Sequence, residues 1–185
     1  MIVELLKGKL LVATPELEDP NFFRAVVLVL DHNEDGALGV VLNRPSAASL
    51  VDPLPEWAPI AAEPAVVFVG GPVQPDAAIG IGRRAGGGDP DGFAELFGEI
   101  GTVDLERSPT AVAPPVDRVR VFAGYSGWGP GQLEGELAAD GWFVVDADCA
   151  DPWSETPSEM WRSVLQRQRG QLRVFAHFPL DPETN

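Results

Sequence analysis

Apolar residues in this chain fall mostly into short runs rather than helical stripes, and the runs are bounded by Gly and Pro. Lys9-Leu10-Leu11-Val12-Ala13 reads as a strand closed by Thr14-Pro15. Asp19-Pro20-Asn21-Phe22 is turn chemistry. Residues 24–30 and 37–42 are two further apolar, β-rich runs. The polar loop between them, Asp31 to Gly36, carries a strong turn dipeptide in Asp35-Gly36, so the three pieces predict a β-hairpin. Both runs are nearly continuous in apolar residues, which predicts cover on both faces. Residues 45–64 are rich in Pro and Ala and predict a loop or a short helix. Further strands are expected over 65–69, 77–81, 102–105, 119–123 and 142–145, one or two helical turns over 93–97, and a short helix over 133–138.

The clearest helix signal is Thr156-Pro157-Ser158-Glu159. Thr156 is a candidate cap, Pro157 suits the first helical position, and Glu159 completes a capping box. Met160, Trp161, Val164 and Leu165 then share a face, with Gly170 as terminator. Residues 171–177 predict a final strand. Strands dominate over two or three short helices and no internal repeat is visible, so the class is α+β and residues 1–185 form one domain.

Composition narrows the function classes. The formal charge is -15, from 13 Lys+Arg against 28 Asp+Glu, and no basic stripe offsets it, so direct nucleic-acid binding is disfavoured. The densest basic run, Arg162, Arg167, Arg169 and Arg173, reads as a solvated helix face. Cys149 is the single cysteine, which excludes an intrachain disulfide. With only His32 and His177 beside it, a Cys/His zinc site is not expected. No apolar stretch is long enough for a membrane helix and the N-terminus has no signal pattern. The expectation is a cytoplasmic protein with no metal and no cofactor.

Candidate chemistry concentrates at Gly124-Tyr125-Ser126-Gly127-Trp128-Gly129-Pro130-Gly131-Gln132-Leu133-Glu134, read as a glycine-hinged loop that presents two aromatics. Gly124-x-Ser126-x-Trp128 departs from a nucleophile elbow at its last position, and neither histidine is an evident base, so Ser126 reads as a turn-holding hydroxyl. Gly80-x-Gly82-x-x-Ala85 fits a dinucleotide fingerprint only loosely. Gly70-Gly71-Pro72 follows a buried strand and offers either free amides or a tight strand-end turn. Asp146, Asp148 and Asp151 lack the calcium-loop pattern. Glu134 and Glu136, two apart, diverge on a helix.

Four groups of residues resemble the YqgE/AlgH family of small bacterial proteins. The first is Leu11-Val12-Ala13-Thr14-Pro15, Leu17, Asp19-Pro20-Asn21-Phe22, Arg24, Val26-Val27, His32, Gly36-Ala37, Gly39, Asn43 and Pro45. The others are Gly70-Gly71-Pro72; Gly124-Tyr125 with Trp128, Gly131-Gln132-Leu133-Glu134, Glu136 and Trp142; and Trp161-Arg162. The sequence departs from the family mainly between Arg83 and Pro115, where a family helix is shortened. The resemblance implies a bent, barrel-like mixed sheet flanked by a few short helices, and no established activity. One branch of the family carries a transcription-regulator label. The expected function is a non-enzymatic binding or regulatory protein for a small anionic ligand or a protein partner. Arg24 would supply charge, Gly70 and Gly71 amides, and Tyr125 and Trp128 stacking area. His32, Asn43, Gln132 and Glu134 complete a single concave site. The alternatives are a direct or indirect transcription regulator, and an enzyme using His32 as acid/base with Glu134 or Asp19.

Overall fold

Leu10, Val12, Val26, Leu28 and Leu30 turn to one face of the sheet while Leu11, Ala13, Val27 and Val29 turn to the other, and all of them are buried. This is the period of two expected of strands, with both sides covered. In the computed structural model, which describes residues 5–179, the strands are β1 (Lys9–Ala13), β2 (Val26–Asn33), β3 (Gly36–Val41), β4 (Pro45–Ser49), β5 (Val66–Val69), β6 (Val73–Arg84), β7 (Phe93–Phe97), β8 (Ile100–Val103), β9 (Val116–Trp128) and β10 (Trp142–Asp146). The α-helices are α1 (Gln132–Ala138), α2 (Met160–Gln166) and α3 (Leu172–Phe175).

The sheet runs β10-β1-β2-β3-β9-β6-β8-β7, all antiparallel. β5 joins β9 in parallel and carries β4. The long β9 ties the halves together, because β3, β5 and β6 all pair with it. The end strands approach at their tips: a methyl built on Gly98 would lie 3.0 Å from Cys149 Sγ, and one on Gly8 3.0 Å from the Leu96 carbonyl. β10 and β7 do not pair, so the expected barrel is a curled sheet left open. Cys149 is exposed.

One face is covered by α2 and α3 through Met160, Trp161, Val164, Leu165 and Leu172. The other is covered by α1 through Leu133 and Leu137, with Trp128 and Trp142 beside them. A third cluster, which includes Trp57, Phe93, Val119 and Val121, fills the far half. The apolar face predicted for α2 is observed. The capping box is not: Thr156 makes no capping bond, and a 3-10 turn over Pro157–Glu159 precedes the helix. Residues 93–97 are a strand rather than helical turns, since they pair with β8, and the segment of family departure holds this β7–β8 hairpin. Residues 171–177 hold the short helix α3 and turns rather than a strand. Pro45–Ser49 is a strand and Ala58–Ile60 a 3-10 turn. Gly80 and Gly82 lie within β6, where methyls would fall 2.6 and 2.5 Å from Val103 side-chain atoms, so they serve close strand packing rather than a phosphate turn. The helix does not reach Arg167, which instead grips Asp151 with both terminal nitrogens.

Candidate functional site

β2 continues through the polar residues expected to form a loop. Its pairing with β3 shifts between Val29 and Asp31, and beyond that bulge Asp31, His32 and Asn33 alternate exposed, buried, exposed. His32 therefore points inward, toward α1. Its side chain is 2% exposed. The Leu6 backbone N–H donates to His32 Nδ1 at 3.2 Å, and Nε2 lies 2.9 Å from Glu134 Oε1. A nitrogen that accepts from an N–H carries no proton, so the ring is the Nε2–H tautomer and donates to Glu134. The Glu134 carboxyl is held below its usual range by its own backbone N–H and then by His32. Its side chain stays 41% exposed.

This pair forms part of the wall of a cavity of about 1130 Å³. Leu6, Leu137 and Leu172 supply apolar wall, and Val144 and Val145 bring in β10. The charged groups are Glu34, Glu134 and Asp146 against Lys9, which itself pairs with Asp146 across the β1–β10 register. Three acids against one amine make the cavity electronegative, which favours cationic occupants.

Next to the cavity, α1 is clamped. Glu136 Oε2 accepts from both Trp128 Nε1 (2.9 Å) and Trp142 Nε1 (2.8 Å), and its Oε1 accepts from Gln132 Nε2 (3.0 Å). Gln132 Oε1 accepts from the Gly129 N–H. The two indoles meet edge to face at 6.0 Å, and Phe22 contacts both rings. Trp128 is buried, so the stacking surface expected of it is occupied within the protein.

Arg24 lies elsewhere. Its backbone is left-handed (φ 55°). Its guanidinium stacks 3.8 Å over Trp161, and Nη2 donates to the Pro179 carbonyl. Nε and Nη1 are buried without a partner among the described residues. Burial, followed by the charge of Arg162, holds its pKa below the usual arginine value. Arg24, Asn43, Ser158 and Arg162 line a crevice of about 40 Å³. Both ends of the Asn43 amide are used locally, by the Val26 N–H and the Arg24 carbonyl.

Gly124-Tyr125-Ser126-Gly127-Trp128 is the end of β9 rather than a loop. Its glycines permit close approach: a methyl on Gly71 would lie 2.2 Å from the Tyr125 carbonyl carbon, and one on Gly124 2.6 Å from the Gly71 carbonyl oxygen. The Gly70 N–H donates to Ala123 and its carbonyl accepts from Ser126 Oγ, so that amide is engaged and Ser126 is a structural hydroxyl. Of the nine expected residues, His32 and Glu134 meet at the cavity, and Arg24 and Asn43 share the crevice. Gln132 and Trp128 belong to the clamp, and Gly70, Gly71 and Tyr125 to a strand crossing. They do not form one concave site. Sequence reasoning missed Lys9 and Asp146, which strand register brings together, and Leu137, which α1 places beside them. No group of three or more metal-ligating side chains occurs among the described residues, and no helix there is long and apolar enough to cross a membrane.

An AlgH-like family model matches residues 10–173. A UPF0301 protein of Streptomyces coelicolor is 53% identical over 187 residues, covering 99% of this chain and 97% of the relative. A UPF0301 protein of Mycobacterium leprae is 44% identical over 181 residues, covering 96% and 90%. The crystal structure of a Corynebacterium diphtheriae protein is similar with a TM-score of 0.86 at 33% identity, over 92% of this chain and 91% of that one. The solution structure of AlgH from Pseudomonas aeruginosa gives 0.67 at 29% identity, over 97% of each chain.

Proposed function

This chain belongs to the AlgH-like family, and we propose that it is a binding protein that takes a cationic ligand or partner segment in the cavity beside the His32–Glu134 pair, with no catalytic step of its own. The observation that carries this is the cavity of about 1130 Å³, apolar in part and lined by three acids and one lysine. The acid/base alternative for His32 is met halfway, since Glu134 is within hydrogen-bond reach. Against it, both ring nitrogens are engaged and the ring is buried, so no lone pair is offered to a substrate. A regulatory role fits this reading as an indirect one, because a net charge of -15 repels a phosphate backbone. Ligand-observed NMR against a metabolite mixture that includes polyamines and basic peptides tests it. Hits are expected, lost in Leu137→Trp, which narrows the cavity beside Glu134, and kept in Tyr125→Ala. Hits indifferent to Leu137→Trp would overturn the reading.

The two nitrogens of Arg24 that find no partner among the described residues favour a second reading, a small anion held at the Arg24–Arg162 crevice. Thermal stabilisation by acetate or phosphate that disappears in Arg24→Lys is its expected signature. Equal stabilisation of both proteins would remove it.

A further inference from the structure

β10 ends the strand order and, among the described residues, pairs only with β1. The Thr14 N–H donates to the Gly141 carbonyl, and that bond sets the alternation of the ladder. Phe143 and Val145 turn their N–H and C=O groups toward β1, while Trp142, Val144 and Asp146 turn theirs outward. Two neighbours agree with this alternation. Ala13, opposite Trp142, donates its N–H to Ala25 on its other side. The outward Asp146 carbonyl accepts from Arg167 Nη2. Among the described residues no hydrogen bond reaches the outward groups of Trp142 and Val144.

Exposed edges are normally blunted by charge, proline or a bulge. The opposite edge, β7, carries the exposed Glu95 and a register shift before Phe97. β10 carries its one charge, Asp146, at its far end and has no bulge; before it, Trp142-Phe143-Val144-Val145 is apolar, its register with β1 is regular, and Val144 is 39% exposed. The cavity opens beside this edge and is lined by both faces of β10.

Resting on the reading of the cavity as a binding site, we propose that β10 is a strand-addition site for an extended segment of a partner protein in which basic and apolar residues alternate. Backbone pairing centred on the exposed Val144 supplies affinity, and alternate side chains supply specificity. Basic residues face α1, where the Glu134 carboxylate is 41% exposed. Apolar residues face Phe143, Leu172 and Phe175 on the other side of the strand. Charge decides against a second copy of the chain as occupant, since that would bring two bodies of charge -15 together.

The probe is acetyl-Lys-Val-Lys-Val-Lys-Val-Lys-amide, titrated into the isotope-labelled full chain. Expected are saturable shifts at Glu134 and Leu137, and, at ten times the dissociation constant, amide exchange at Trp142 and Val144 slowed about tenfold. A peptide with Glu for Lys is expected not to bind. Val144→Pro removes the outward N–H without breaking a β1 bond and is expected to weaken binding at least about tenfold. Probe peptides N-methylated on alternate residues test the pairing without altering the protein, and only one of the two methylation frames should bind. Shifts at Glu134 and Leu137 with unchanged exchange at Trp142 and Val144 would overturn strand addition and leave the cavity reading standing. An absence of shifts would overturn both. Protection of the two amides on self-association, without peptide, would overturn the partner in favour of a second copy.

Discussion

Glu134 and Glu136 stand two residues apart on one seven-residue helix and do opposite things. At 3.6 residues per turn, positions i and i+2 point to different sides of a helix. Glu136 faces the sheet and accepts three hydrogen bonds, two of them from buried indoles. Glu134 accepts one side-chain bond, from His32 on Oε1, beside that of its own backbone N–H, and among the described residues no other side chain reaches it. A saturated carboxylate holds parts of a protein together, whereas a half-satisfied, partly exposed one beside a cavity is available to something else. Residue type and proximity in sequence do not separate the two roles, but the donor count does.

The largest effect that would break this comparison is at Glu136. Glu136→Ala leaves two indole N–H groups without an acceptor in a buried cluster and is expected to cost about 2–4 kcal/mol of stability. Glu136→Gln keeps one acceptor oxygen and is expected to cost about half that. Urea unfolding followed by tryptophan fluorescence reads both. A loss below about 1 kcal/mol for the alanine variant would mean that Glu136 is no clamp.

Replacing His32 comes next. His32→Ala orphans the Leu6 N–H and empties a buried site, for an expected cost of about 1–3 kcal/mol. A double-mutant cycle with Glu134→Ala isolates the pair. With Glu134 41% exposed, solvent screening limits the coupling to about 0.5–1 kcal/mol. Coupling equal to that of a Trp142/Glu136 cycle would erase the distinction between the two glutamates.

Much of the scaffold was legible in the sequence. The runs that became β1, β2 and β3 announce themselves by unbroken apolar residues, and the α2 face by Met160, Trp161, Val164 and Leu165. Three misreadings share a cause, which is that tertiary pairing overrides local signal. The glycines of 124–129 look like a loop, but most of that segment is strand because β3 pairs with it, and two of its glycines admit the Gly70–Gly71 crossing and the Tyr125 ring. Asp31-His32-Asn33 looks like a turn, yet its central residue faces inward on a strand. Residues 171–177 have β-like composition and became α3 against Phe143. The cavity was legible only as the pair His32 and Glu134. Its remaining wall depends on the register that sets Lys9 opposite Asp146 and on where α3 docks, and neither is a local property of the chain.

The smallest expected effect is a pH dependence, and it sharpens the comparison most directly. The Glu134 carboxyl titrates below its ordinary value of 4.5 because its own backbone N–H and then the His32 ring stabilise the charged form. A depressed carboxyl contributes stability above its unfolded pKa and loses it as the pH falls through the folded one. The difference in unfolding free energy between the parent protein and Glu134→Gln is therefore expected to be constant above about pH 5 and to shrink below 4.5. Exposure keeps the whole change small. Carbon-detected NMR of the Glu134 carboxyl gives the midpoint independently, expected below 4.5. Positive charge placed beside the carboxylate by a bound basic segment would lower that midpoint further, so the same titration with the lysine–valine peptide present reports on the exposed carboxylate itself. A midpoint that does not move with saturating peptide would mean that the Glu134 carboxylate faces solvent and not the partner.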